Sequence, residues 1–117
     1  LWVGHINRRK RNQKKGTGFG FKLSKSSEPF TRTITSRYVK DGSECLIYQG
    51  KNKNPRLLTP RECFRLQGFP ESFKISNIKT HAYQQAGNAI PINVVSKICD
   101  KIFEYLFYVN KSFKKSA

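Results

Sequence analysis

Apolar and polar positions are most regular near the C-terminus of the chain. Ile92, Val95, Ile98, Cys99, Ile102, Phe103 and Leu106 recur at helical spacing. That pattern predicts a long amphipathic helix begun at Pro91, a residue suited to a first helical position. Its apolar stripe reads as core, packed on something larger than the helix itself. A shorter helix is predicted over residues 80–86, closed by Gly87, with Asn88-Ala89-Ile90 as a loop. Residues 111–117 read as a frayed tail.

A third helix is predicted within Arg56-Leu-Leu-Thr-Pro-Arg-Glu-Cys-Phe-Arg-Leu-Gln-Gly-Phe-Pro70. Thr59 is its N-cap and Pro60 its first residue. Glu62, three after the cap, completes a capping box. Gly68 supplies a left-handed stop, and Pro70 prevents continuation. Cys63, Phe64 and Leu66 bring apolar surface, while Arg56, Arg61 and Arg65 gather three guanidinium groups.

Upstream the period changes from helical to alternating. Phe19, Phe21 and Leu23 predict an edge strand after a glycine-rich loop. Residues 30–38 are rich in β-branched and aromatic side chains and predict a strand. Lys40-Asp41-Gly42-Ser43 carries an Asp-Gly turn signal, and residues 44–48 form the second arm of a hairpin. Residues 7–15 are either the end of a helix or a mobile arm. The composition shifts near Pro55, from basic and β-rich to helical. An α+β unit in two functional parts follows, residues 1–55 and residues 56–117.

Charge narrows the function. The chain has 23 Lys+Arg against 7 Asp+Glu, a net charge of +16. That exceeds what solubility needs and points to a polyanion, with nucleic acid first. A membrane surface fits less well, because the cations are not gathered on one amphipathic helix. No apolar run is long enough to span a bilayer. Three widely spaced cysteines and two histidines argue against a zinc site, and no metal ligands are assigned. Reduced thiols in a cytoplasmic protein are the economical reading.

Candidate DNA contacts follow from residue type. Arg8, Arg9, Lys10 and Arg11, within the basic run that ends at Lys15, together with Lys51 and Lys53, suit phosphates. Phe19, Arg32, Thr33, Arg37 and Tyr38 interleave aromatic and cationic groups suited to base edges and thymine methyls. Gly16-Thr-Gly-Phe-Gly-Phe21 is not a P-loop, because no Gly-Lys-Ser/Thr follows it. Gln84-Gln-Ala-Gly-Asn-Ala-Ile-Pro91 joins two helices through small residues. It is a plain connector, or a ligand turn in which Gly87 and Ala89 allow close approach and Asn88 offers a donor and an acceptor.

Taken together, these segments resemble a family. Residues 56–70 are similar to the ninth conserved motif of DNA cytosine-5 methyltransferases. Tyr83-Gln-Gln-Ala-Gly-Asn-Ala-Ile-Pro-Ile-Asn-Val94 resembles the tenth, with Gly87-Asn88-Ala89-Ile90 where Gly-Asn-Ser-Val is usual. Thr33-Ile34 resembles the Thr-hydrophobic pair of the target-recognition region. The resemblance covers roughly residues 7–95.

The resemblance implies a bacterial enzyme of restriction–modification or related methylation. Such enzymes extrude the target cytosine from double-stranded DNA. A Pro-Cys thiolate attacks C6, and C5 receives a methyl from S-adenosylmethionine. It further implies that Gly87, Asn88 and Ala89 border the cofactor. Arg56, Thr59, Glu62, Arg65 and Gly68 then organise structure, and Cys63 is a packing residue. None of Cys45, Cys63 and Cys99 follows a proline, and neither Glu-Asn-Val nor Gln-x-Arg-x-Arg occurs. No catalytic residue is therefore assigned to this chain. The expectation is the C-terminal portion, completing a Rossmann-like α/β methyltransferase domain whose thiolate and most of whose cofactor pocket lie on an N-terminal part or subunit. The chain alone should bind DNA weakly and not methylate. The other class of function is a non-enzymatic basic DNA-binding module in which both motifs are only packing devices, or, on charge alone, a ribosomal or RNA-binding protein.

Overall fold

The computed structural model describes residues 2–18, 20–40 and 45–115, with side chains as far as residue 111. In chain order the elements are α1 (Trp2–Lys14), β1 (Lys22–Ser24), β2 (Cys45–Ile47), β3 (Arg56–Leu57), α2 (Pro60–Leu66), α3 (Lys79–Asn88) and α4 (Ile92–Lys115). The mixture of helices and a small sheet is α+β.

The basic run belongs to a helix, α1, rather than to an arm. α1 buries none of its own residues. It is held through Phe21, whose ring meets Trp2 edge-on at 5.1 Å and His5 at 6.0 Å.

The sheet has the order β1-β2-β3. β2 runs parallel to β1, with Leu46 opposite Leu23, and antiparallel to β3, with Leu46 opposite Leu57. Leu46 and Cys45 are almost wholly buried, as befits a central strand.

The expected hairpin is not formed. Residues 30–38 carry no strand, and β2 pairs with β1 and β3 instead. Side chains do what a ladder was expected to do. Thr31 Oγ1 donates to Cys45 Sγ at 2.6 Å, and Tyr38 donates its hydroxyl to the Cys45 carbonyl at 2.5 Å. Ile34 is buried in the core. Composition favoured a strand here, but tertiary anchoring of Thr31, Ile34 and Tyr38, three and four residues apart, decided for a loop. The Asp41-Gly42 turn, Glu44 and Phe19 lie outside the described residues.

α2 is capped as its sequence predicts. The Glu62 N–H donates to Thr59 Oγ1 at 3.2 Å, and the Thr59 N–H donates to Glu62 Oε2 at 2.8 Å. Gly68 takes φ +82°, and the Phe69 N–H reaches back to the Phe64 carbonyl at 3.0 Å, closing the helix. Phe64, Phe69 and Phe73 then stack within 5.3 Å of one another.

Two helix ends differ from expectation. α3 runs through Gly87 to Asn88, so Gly87 does not close it. α4 continues to Lys115, so most of the expected tail is helical. α4 also presents its apolar stripe outward, with Ile98 54% and Phe103 70% exposed.

The core joins residues from both sides of Pro55. Ile34, Tyr38 and Cys45 pack with Leu58, Cys63, Phe64, Tyr83 and Ala86. Ala82 and Ala86 are fully buried, which lets α3 lie close to its neighbours.

Candidate functional site

The loop of residues 30–40 and the α3–α4 turn meet at one groove. Gly87 lies against the loop so closely that a Cβ there would stand 2.1 Å from the Thr35 carbonyl carbon and 2.2 Å from the Ser36 nitrogen. Beside this contact opens a groove of about 400 Å³, lined by Arg32, Thr33, Ile34, Gln67, Gly87 and Ala89 among others. Arg32 donates through Nη1 to the Gly20 carbonyl at 2.6 Å. Arg32 and Thr33 are exposed. Two groups of residues distant in sequence, 32–34 on one side and Gly87 with Ala89 on the other, thus share one opening.

Gln67 fastens this arrangement. Its side-chain Nε2 donates to the Ala86 carbonyl at 3.1 Å, and its own carbonyl accepts from the Ile92 N–H at 2.8 Å. One residue at the end of α2 therefore fixes the end of α3 and the start of α4. Sequence reasoning missed it. The available signal was an amide side chain directly before the helix-stopping Gly68, where the chain must turn back on its own core.

Of the turn residues themselves, Asn88 is exposed and sits at the last position of α3. Its amide carries a donor and acceptor suited to a polar ligand. The Ala89 N–H is already spent on the Gln85 carbonyl at 3.0 Å, and the first N–H of α4 on Gln67. The Asn88 side chain thus offers a donor and an acceptor beside the small residues Gly87 and Ala89.

Tyr38 is corrected from a DNA contact to a core residue. It is 2% exposed, and its hydroxyl is used twice: it donates to the Cys45 carbonyl and accepts from the Leu58 N–H at 2.9 Å. Burial pushes its pKa up. Tyr83 stands beside it, ring centroids 5.4 Å apart, and donates to the Leu58 carbonyl at 2.6 Å. Both backbone polar groups of the buried Leu58 are thereby satisfied by tyrosine hydroxyls. Arg37, by contrast, is exposed on the same loop.

Arg56 and Glu62 form a two-pronged ion pair at 2.7 and 2.8 Å. The Arg56 guanidinium, with help from the Thr59 cap, lowers the Glu62 pKa to about 2. Arg56 also donates to the Leu57 carbonyl at 3.0 Å, which ties β3 to the head of α2. Arg65 pairs with Glu71 at 2.5 Å on the surface. Arg56, Thr59, Glu62, Arg65 and Gly68 are thus all engaged in local structure, through caps, ion pairs and a left-handed turn. Cys63 is fully buried, and burial pushes its thiol up to about 12. A thiol held protonated in this way is no nucleophile at neutral pH.

The cations of α1 differ in surroundings. Arg8 donates to the Lys40 carbonyl at 3.2 Å, and the Arg9 guanidinium lies over the Phe21 ring at 5.3 Å. Lys10 and Arg11 are exposed, as are Lys51 and Lys53 in the loop before β3. Among the described residues, no helix is long and apolar enough to cross a membrane.

Comparison with known proteins places this geometry. A family model described as C-5 cytosine-specific DNA methylase matches residues 2–104. The Type II methyltransferase M.DsaV of Dactylococcopsis salina is 51% identical over 117 residues, covering 98% of this chain and 33% of the relative. The Type II methyltransferase M1.ScrFI of Lactococcus lactis subsp. cremoris is 49% identical over 106 residues, covering 91% of this chain and 27% of the relative. Among solved structures, the S. pombe Dnmt2 methyltransferase superposes with a TM-score of 0.65 at 26% identity, over 74% of this chain and 33% of that one. The chain therefore spans between about a quarter and a third of the length of these proteins. With the match running from residue 2 to residue 104, the chain belongs to the C-5 cytosine-specific DNA methylase family.

Proposed function

We propose that the chain is the target-recognition and C-terminal portion of a DNA cytosine-5 methyltransferase of a restriction–modification system. The complete enzyme transfers a methyl group from S-adenosylmethionine to C5 of a cytosine in a specific duplex site. The observation that carries this reading is the shared groove. Arg32 and Thr33, suited to DNA, open onto the same space as Gly87 and Ala89, next to Asn88. Relatives named Type II methyltransferases at about half identity support the class of reaction.

In this reading residues 1–55 read the duplex. Arg32, Thr33 and Arg37 face base edges or the backbone near them, and the basic helix α1 with Lys51 and Lys53 meets phosphates. Residues 56–117 hold that region and pack on the catalytic part. The outward stripe of α4 docks there and completes a Rossmann-like α/β domain. Asn88 contacts the cofactor, which supplies the electrophilic methyl. The sequence holds no Pro-Cys pair, and Cys63 is buried and protonated. The attacking thiolate, the glutamate of the family's Glu-Asn-Val motif and most of the cofactor pocket thus come from an N-terminal part, on the same polypeptide or another.

The test is methyl transfer from labelled S-adenosylmethionine to plasmid DNA. The chain alone should transfer none. Joined to an N-terminal portion carrying Pro-Cys and Glu-Asn-Val, it should transfer at one sequence, and Asn88→Ala should weaken cofactor binding. Transfer by the isolated chain, or cofactor affinity indifferent to Asn88→Ala, would sink the assignment. If the joined enzyme neither methylates nor binds cofactor while the chain binds DNA, a non-enzymatic binding module takes its place.

A further inference from the structure

We infer that α1 docks on the duplex through one face only, formed by Lys10, Arg11 and Lys14, while Arg8 and Arg9 serve to hold the helix to the body. This rests on the DNA-binding reading above and divides the basic run by role.

Helical phase separates the two sets. At 3.6 residues per turn, Lys10, Arg11 and Lys14 fall within about 100° of arc. All three are exposed. Trp2, His5 and Asn12 project from the opposite side and are half-buried. Trp2 and His5 pack on Phe21. Arg9 projects on that same side and covers Phe21 from above, its side-chain carbons close to Gly20. Arg8 lies at the border and is committed to the Lys40 carbonyl. A guanidinium that holds a backbone carbonyl or a ring can reach a phosphate only by leaving it. Lys10, Arg11 and Lys14 face solvent and can meet a phosphate without leaving the body of the fold.

Charge on α1 is unopposed. The helix carries no acidic residue in its first turn or elsewhere, and Arg11 and Lys14 occupy its last turn. Lys10 and Lys14 stand about 6 Å apart along the axis. Rigid display of this kind suits the regular phosphate spacing of a duplex better than a mobile arm does. Because phosphate contacts release condensed counterions, they are read directly from salt dependence.

The experiment measures duplex binding by this chain across a salt series, using fluorescence anisotropy. The variant Lys10→Ala/Arg11→Ala/Lys14→Ala keeps good helix formers, and circular dichroism checks that helicity is retained. Its slope of log affinity against log salt should fall by about two to three, near 0.9 for each phosphate no longer neutralised. The pair Lys79→Ala/Lys97→Ala removes cations elsewhere and should leave the slope unchanged. Equal slopes in the α1 variant and the parent overturn the inference while leaving DNA binding intact. An equal fall in the control pair also overturns it, because net charge alone then explains the effect. A parent chain that binds single-stranded RNA as tightly as the duplex overturns the choice of partner. A parent chain that binds no duplex at all overturns the DNA reading and this inference with it.

Discussion

Gly87 touches the backbone of Thr35 and Ser36 where a side chain does not fit. A Cβ at this position would lie 2.1 Å from the carbonyl carbon of Thr35, and 2.3 Å from its oxygen. Gly87 lies inside α3, where glycine costs about 1 kcal/mol relative to alanine. The clash is with backbone, which cannot swing aside as a side chain can. Overpacking of that kind costs about 1–3 kcal/mol and outweighs the gain in propensity. Gly87→Ala should therefore lower the denaturant midpoint. Gly4→Ala, in α1 with nothing within 4 Å, should raise it slightly, through a gain in stability of about 0.5–1 kcal/mol. If Gly87→Ala instead stabilises the chain, the loop is not seated on α3 as described.

The capping box makes a pH prediction. Glu62 has its pKa lowered from 4.5 to about 2, chiefly by the Arg56 hydrogen bonds. A carboxyl group depressed in the folded state contributes stability above its unfolded pKa and loses it on acidification. The contribution should thus be whole above about pH 4.5 and fade between there and pH 2. Partial exposure of both partners screens the pair, so about 1 kcal/mol is expected at neutral pH. Chemical denaturation of Glu62→Gln at several pH values checks this. The gap between variant and parent should be largest near neutrality and close as the pH falls toward the folded-state pKa.

The capped helix, by comparison, was fully legible in the sequence, because its signals are local. Thr59, Pro60, Glu62 and Gly68 act within one turn of themselves, and each does what its residue type predicts. The loop 30–40 was not legible in this way. Its β-branched and aromatic residues favour strands, yet Tyr38, Thr31 and Ile34 reach partners across the fold. No local rule names such partners. Gly87 shows the same contrast. As a glycine after two buried alanine positions it reads as a stop, and only the neighbouring loop reveals a close approach inside a continuing helix. The two-residue β3 was also invisible, since Arg56 and Leu57 alone carry no period. For the candidate site, the residues of the turn and of Thr33-Ile34 were named from motif likeness, but their meeting in one groove depends on Gln67.

The two tyrosines around Leu58 offer a cleaner energetic test. Leu58 is buried, and its N–H and carbonyl are satisfied by Tyr38 and Tyr83 respectively. Tyr38→Phe removes one hydroxyl that serves two backbone groups, the Leu58 N–H and the Cys45 carbonyl. Tyr83→Phe strands one carbonyl only. Leaving a buried polar group unpaired costs about 1–3 kcal/mol. Tyr38→Phe should therefore be the more damaging, and the double variant should depart from additivity because both hydroxyls hold one peptide segment. Equal and additive losses would mean that the hydroxyls act independently of Leu58.

Cysteine accessibility links the fold to the proposed assembly. Cys45 and Cys63 are buried, while Cys99 is exposed within the apolar stripe of α4. A thiol pushed up to about 12 by burial, as in Cys63, reacts negligibly at neutral pH. Brief treatment of the native chain with an alkylating reagent should thus label Cys99 alone, and denaturation should expose the other two. Ile98 and Ile102 flank Cys99 on the stripe and are about half exposed. A stripe this apolar is covered when its partner is present. Adding the N-terminal catalytic portion should slow Cys99 labelling by an order of magnitude or more, and Ile98→Asp/Ile102→Asp should abolish that protection without changing which cysteine is labelled in the isolated chain. Unchanged labelling in an active joined enzyme would remove α4 from the proposed contact. The catalytic part would then have to be held through α2 and α3 alone.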